Sequence, residues 1–399
     1  MKFNYSLSKI ITFLISFILF LRYIGGPFHL MNIGIPIGLT ILLSIIYNFY
    51  SSKIPKNSIY IYIYLIFIYY LFIGSMYSNA PNYGREKTFL LSLFVILAIF
   101  SVKHIVANIN SFLMTNFFFY ILYIIAYFSF YGSLGNVLSQ LDPRIRLEEM
   151  GGEVFGVIDA SRYIGFCLIS MFFLFFHTDF NLKFKKLIFI FMVTIGILIM
   201  LLFGSKGPLI SLILSPIIYL IFYKKISLMN SVFLSLSIGI LIFILLSPKT
   251  VLNILPQQYQ TYFEYRFFDF ETYQNDRPSL FKMALEDIDE KSLILGKGTG
   301  NFGYLITSQD VKQYPHNIFV EILYENGLLG LLFFLFLLIK ALFRNKREYF
   351  ISTNSYLIIT VYYFLLNAQV TGDFDVNSAL FVFLIFKQYP GLSKINQIT

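Results

Sequence analysis

The side chains in this sequence best suited to chemistry are one histidine and a scattered set of cations. His316 lies in Pro315-His316-Asn317-Ile318-Phe319-Val320-Glu321, where a polar loop hands over to apolar residues that run unbroken from Leu331 to Ile339. Pro315 suits a first helical turn, which puts His316 at the N-terminus of a membrane helix. The dipole of that helix disfavours an imidazolium, so the ring is expected to be neutral at pH 7 and able to take a proton as a general base. A capping or hydrogen-bonding histidine is the competing reading. His29, His104 and His177 fall at other predicted membrane ends, where a solvated or interfacial role is the default.

Arg85, Arg162, Lys206, Arg266 and Arg277 all stand at or beyond one predicted side of the membrane. Charges at membrane depth are costly and tend to be functional. Guanidinium groups fork onto phosphate oxygens, so arginines converging at a membrane surface fit a lipid-linked pyrophosphate. Otherwise each one snorkels to a headgroup or pairs with Glu86, Asp159 or Asp276. Asn317, beside His316, joins them as a candidate substrate-binding residue. Asn317, Glu321 and Glu325 recur every fourth residue on one helical stripe, which must face protein or a wet cavity and not lipid.

Other motifs point elsewhere. Gly296-Lys297-Gly298-Thr299-Gly300 lacks the Walker spacing and the strand that a dinucleotide fingerprint needs, so it reads as a flexible turn returning Asn301 and Phe302 to the membrane. Asp373-Phe374-Asp375 resembles the paired acids that hold a divalent metal in some glycosyltransferases, but two acids beside Gly372 suit a solvated turn better, and no metal is expected. No serine or cysteine nucleophile motif and no zinc-binding spacing occurs. Cys167 is the single cysteine, which excludes an internal disulfide.

The elements that must position these residues are membrane helices. Of the 399 residues 57% are hydrophobic and 13% charged, against roughly a quarter charged in soluble domains. Long apolar runs between short polar breaks indicate an all-α polytopic membrane protein of about twelve transmembrane helices, not a barrel of alternating strands. Spans are expected near 8–25, 30–50, 59–77, 88–102, 112–131, 161–177, 186–203, 208–223, 228–247, 316–340, 354–369 and 376–388, the last two short enough to be tilted, thinned or re-entrant. Basic residues from Lys2 and Lys9 to Lys387 and Lys394 gather at alternate ends, which makes those ends and both termini cytoplasmic and explains the net charge of +9 without nucleic acid. Arg22, Arg85, Lys87 and Lys206 are then left in short outer loops, which is unusual. Tryptophan is absent, so tyrosine must supply the interfacial belt.

The chain divides into spans 1–9 over residues 1–247, one large extracytoplasmic loop at 248–315 between spans 9 and 10, and spans 10–12 over 316–399. A second outer loop, Gly132 to Ala160, has mixed charge and suits a mobile flap or short surface helix. Inside the large loop, Gln257 to Tyr273 is crowded with rings that suit an interfacial helix on the bilayer or a surface for stacking sugars. Beyond it Asp276 and Pro278 open an amphipathic helix whose apolar face is Phe281, Leu285 and Ile288.

Taken in order, Gly204-Ser205-Lys206-Gly207 before a span, Arg277 ahead of Phe281-x-x-Ala284-Leu285, Gly296-x-Gly298-x-x-x-Phe302, and His316-Asn317 followed by Glu325-x-Gly327-x-x-Gly330 resemble the O-antigen polymerase and ligase superfamily. The resemblance covers roughly Gly204 to Gly330. It implies a metal-independent, inverting transfer of an oligosaccharide from undecaprenyl pyrophosphate to a sugar hydroxyl on the outer face of the bacterial inner membrane, with no cofactor. On it, His316 matches the general base and Arg277 a pyrophosphate ligand. Lys206 departs from the arginine common there, and lysine cannot make the planar two-pronged contact. Phe281 stands where tryptophan is common. The expected partners are lipid-linked donor and acceptor glycans and membrane lipids, with a separate chain-length regulator left open. A polymerase of O-antigen or capsule is the first expectation, a ligase moving polymer to lipid A core the second, and a lipid-linked oligosaccharide flippase the rival from another class.

Overall fold

A computed structural model of the chain describes residues 2–24, 34–51, 59–131, 157–178, 182–203, 205–223, 277–343, 352–370, 373–374 and 376–388. The expected span at 228–247, Arg266, the ring-rich stretch 257–273 and most of the loop at 132–160 lie outside these residues.

Every regular element among the described residues is a helix: α1 (Lys2–Ile24), α2 (Gly34–Ser51), α3 (Ile59–Tyr77), α4 (Pro81–Ala107), α5 (Ile109–Tyr131), α6 (Val157–His177), α7 (Lys185–Leu202), α8 (Lys206–Tyr223), α9 (Arg277–Glu286), α10 (Ser292–Leu295), α11 (Phe302–Thr307), α12 (Ile318–Phe343), α13 (Ser352–Asn367) and α14 (Ser378–Gln388). The sequence of α3 opens Ile-Tyr-Ile-Tyr-Ile-Tyr, a strand pattern in water. In hydrocarbon each backbone group must be satisfied within its own segment, and the helix wins. Pro81–Ala107, Ile109–Ser129, Ile158–His177 and Ile318–Phe343 are long and apolar enough to cross a membrane. The protein is a multi-pass membrane protein, and the expected count of about twelve spans goes beyond these four.

The chain forms two compact units. One comprises residues 1–19, 32–112 and 276–399, the other 20–31 and 113–275. In the first, α4 packs on α2, α3 and α14, while α12 packs on α3, α9, α10 and α14. All eleven residues of α14 are buried. At 1.5 Å per residue it is about 16 Å long, roughly half a hydrocarbon core. It is therefore an enclosed core helix, and one of its polar ends, Gln388, donates to the Leu337 carbonyl at 2.8 Å. In the second unit α6 packs on α7 and α8. Gly196 of α7 lets the Tyr120 hydroxyl reach the Met192 carbonyl at 2.8 Å; a Cβ there would stand 2.5 Å from that hydroxyl.

Candidate active site at the head of α12

α12 is not one continuous helix. Gly327 has φ 65 and ψ −170, which splits it after its first turns. A helix broken at membrane depth exposes carbonyls that need donors. Here Lys297 N–H donates to Tyr324 O and Gly298 N–H to Glu325 O, each at 2.9 Å, and the Tyr70 hydroxyl donates to Asn326 O at 2.7 Å. The glycine loop read from the sequence as a flexible turn is instead a wedge driven into the break. Its glycines all have positive φ, and a Cβ on Gly298 would meet the Ser78 backbone at 2.6 Å. Thr299 fixes the wedge further, donating to Leu71 O and to Asn326 Oδ1, both at 2.8 Å. Asp289 holds its far end: Oδ1 accepts from Ser292 N–H at 2.7 Å and Oδ2 from Lys297 Nζ at 3.0 Å. Those contacts, the Ser292 N–H foremost, hold the Asp289 carboxyl well below the usual carboxylate range.

The loop after α11 leads to His316. Asp310 supplies the cap that α4 lacks from its own Ala80, accepting from Asn82 N–H at 2.8 Å and Tyr83 N–H at 3.0 Å. Loss of a cap costs about 1 kcal/mol. Asp310→Ala should accordingly lower the thermal midpoint of the detergent-solubilised protein, whereas Gln313→Ala, an exposed side chain in the same loop, should leave it unchanged.

His316 does not occupy a first helical turn after Pro315, as the sequence suggested. It sits before the helix with φ 58, in the left-handed region that histidine tolerates better than most residues. Its half-buried ring meets that of Tyr314 edge-on, with centroids 4.6 Å apart. Asn317 is the cap: its Oδ1 accepts from Phe319 N–H at 3.0 Å and Val320 N–H at 3.2 Å. The amide of Asn317 also donates to Gln369 Oε1 at 3.2 Å, and Ile318 N–H to Ala368 O at 2.9 Å, which ties the head of α12 to the end of α13.

Beneath this head lies a buried ion cluster absent from the sequence-derived site. Lys87 of α4, 1% exposed, is bridged to Glu321 and, at 2.8 Å, to Glu325. Glu321 also accepts from Phe374 N–H at 3.4 Å, and the Tyr83 hydroxyl donates to the buried Asp373. The polar stripe of α12 thus faces protein, as its spacing required. Asp373 is committed to Tyr83 and is not in a solvated turn. Two signals were present: Lys87 in a short outer loop, and the Glu321–Glu325 spacing that needed a counterion. Removing one partner of a buried pair costs about 3–5 kcal/mol.

Arg85 is exposed on the first turns of α4, between the buried Tyr83 and Lys87. Arg277 opens α9. Of the expected apolar face Phe281, Leu285 and Ile288, Ile288 packs inward just past the end of α9, and Leu285 does not. Ala284 is buried against Phe302 and Tyr324, with Leu280 and Ile288 packed on them, while Leu285 is half exposed. Arg162 and Lys206 belong to the other unit. Arg162 is buried in α6 with Asp159 at 3.4 Å, and Lys206 opens α8.

A membrane protein whose described residues form helices, carrying a half-buried histidine on a rigid polar platform, is suited to chemistry at a membrane surface. Residues 191–335 match the family model described as O-antigen ligase, a stretch that includes Lys206, Arg277, the glycine wedge, His316 and the break at Gly327. No curated protein matches the chain. Over that stretch the chain is similar to the O-antigen ligase family.

Proposed function

We propose that this protein is a polysaccharide polymerase of the bacterial inner membrane. It transfers an undecaprenyl-pyrophosphate-linked oligosaccharide repeat to a sugar hydroxyl on the outer face, with both chain termini cytoplasmic. The observation that carries this reading is the placing of His316: half exposed, left-handed, and fixed between the Asp310 cap of α4 and the Asn317 cap of α12. His316 takes the proton of the acceptor hydroxyl, whose oxygen attacks the anomeric carbon. The bond from that carbon to the pyrophosphate breaks, and undecaprenyl pyrophosphate leaves with its electrons. Of the expected cations, Arg85 and Arg277 lie in the same unit as His316 and are proposed to hold the pyrophosphate and stabilise the charge that develops on it. Divalent metal is not required on this reading, because the donor bond is already activated.

The description of the family model favours a second reading, a ligase that moves finished polymer to lipid A core. Deleting the gene separates the two. Loss of a polymerase leaves core carrying at most one repeat, while loss of a ligase leaves bare core with polymer still on its lipid carrier. The break in α12 also bears on the flippase reading, since broken helices often hold transported ions or substrates. In this protein the carbonyls freed at the break are taken by Lys297, Gly298 and Tyr70, which favours a structural break. Liposomes supplied with lipid-linked repeat on the outer side test this directly, because a flippase makes no new glycosidic bond.

Arg277→Lys keeps the charge and loses the fork. If Arg277 holds phosphate, polymer synthesis should fall about 10- to 100-fold at unchanged protein level, the equivalent of about 1.5–3 kcal/mol for a charged hydrogen bond. Wild-type synthesis by this variant removes Arg277 from the site.

A further inference from the structure

We infer that the buried Lys87–Glu321–Glu325 cluster, with Tyr83 and Asp373, is a positioning device that sets where His316 stands relative to the membrane helices. The inference rests on the reading of His316 as the base. The first two turns of α4 hold three separate parts of the His316 neighbourhood. Asn82 and Tyr83 N–H bind Asp310, six residues before the histidine. The Tyr83 hydroxyl binds Asp373, and the Phe374 N–H beside it binds Glu321. Lys87 binds Glu321, four residues after the Asn317 cap, and reaches Glu325 one turn deeper. Lys87 also lies over the Phe374 ring, 4.9 Å from its centroid. The short segment carrying His316 is therefore pinned at both ends to one rigid helix.

The arrangement has a direction. Glu321 is on the first turn of α12 and receives two tethers, from Lys87 and Phe374, whereas Glu325 receives Lys87 and adjoins the break. Either carboxylate alone would give Lys87 a one-to-one partner. A cluster that only balances charge would make the two glutamates equivalent, while a positioning device makes Glu321 the more important.

Glu321→Gln and Glu325→Gln discriminate, because each preserves shape and leaves one ion pair, so both should accumulate as folded protein. Glu321→Gln should lower kcat on the order of 10- to 100-fold, the cost of misplacing a reacting group by about 1 Å. Donor KM should stay within about threefold, since ground-state binding is not what is lost. Glu325→Gln should have the smaller effect on kcat. Labelling of His316 by diethyl pyrocarbonate, read by mass spectrometry, should change in rate in Glu321→Gln and in Tyr83→Phe. Equal kcat for the two glutamine variants, or wild-type labelling of His316 in Glu321→Gln, overturns the positioning role. If His316→Ala proves fully active, the base reading fails, and the labelling rates still decide whether the cluster places the ring.

Discussion

His316→Asn should accumulate as folded protein and bind lipid-linked donor, yet form polymer on the order of 10²- to 10⁴-fold more slowly, the usual contribution of a general base. The asparagine variant is the cleanest probe because the backbone at 316 is left-handed. Asparagine tolerates that conformation, whereas alanine there adds a cost of roughly 1–2 kcal/mol. An amide hydrogen-bonds but takes no proton near neutral pH. His316→Gln should be equally slow. The competing idea of a capping histidine predicted a poorly folded alanine variant and a near-normal asparagine variant. In this structure the cap is Asn317, through Phe319 and Val320 N–H, so loss of the imidazole should not unravel α12. The sign of the pH response follows from the chemistry: a protonated ring is no base, so the rate should fall as pH is lowered. Wild-type rates in His316→Asn, or a flat profile between about 5 and 8, would remove His316 from the chemistry.

Much of this site was written in local pattern, and what was missed was non-local. The Asn317–Glu321–Glu325 stripe follows from the helical period alone, so its inward face was readable without any partner. The partner was not. Lys87 is more than two hundred residues from Glu321 in the chain, and periodicity carries no information about which helices pair. The same limit hid the fate of the glycine loop. Gly296, Gly298 and Gly300 announce positive φ or close approach, but only the opposing backbone of Glu325 and Asn326 makes the loop a wedge and not a hinge. For α14 the short apolar run was visible, and its burial on every side depends on α4, α12 and α13 surrounding it. Of the apolar face expected at α9, Ile288 packs inward while Leu285 is exposed, because the small Ala284 is the residue of the helix that meets Phe302 and Tyr324.

Gly327→Ala should be the most damaging single change to the fold. The backbone there, φ 65 and ψ −170, falls where side-chain-bearing residues pay about 1–3 kcal/mol in strain. Space is shorter still: the added Cβ would stand 2.2 Å from Ile294 O and 2.6 Å from Gly296 N. Either the wedge moves out or α12 closes into a regular helix. Both outcomes strip Lys297 and Gly298 N–H and the Tyr70 hydroxyl of their acceptors, and buried unpaired polar groups cost about 1–3 kcal/mol each. The thermal midpoint in detergent should fall by well over the shift caused by Asp310→Ala, with protein level in membranes reduced in step. Leu328→Ala, next in the chain but 44% exposed, should change little and serves as the control. Because Glu325 and its carbonyl lie two residues before the break, an unseated wedge would also disturb the Lys87 cluster. Residual folded Gly327→Ala protein should therefore show a reduced kcat. A Gly327→Ala protein that melts like wild type would mean that α12 does not need its break, and the wedge would lose its role in holding the head of the helix.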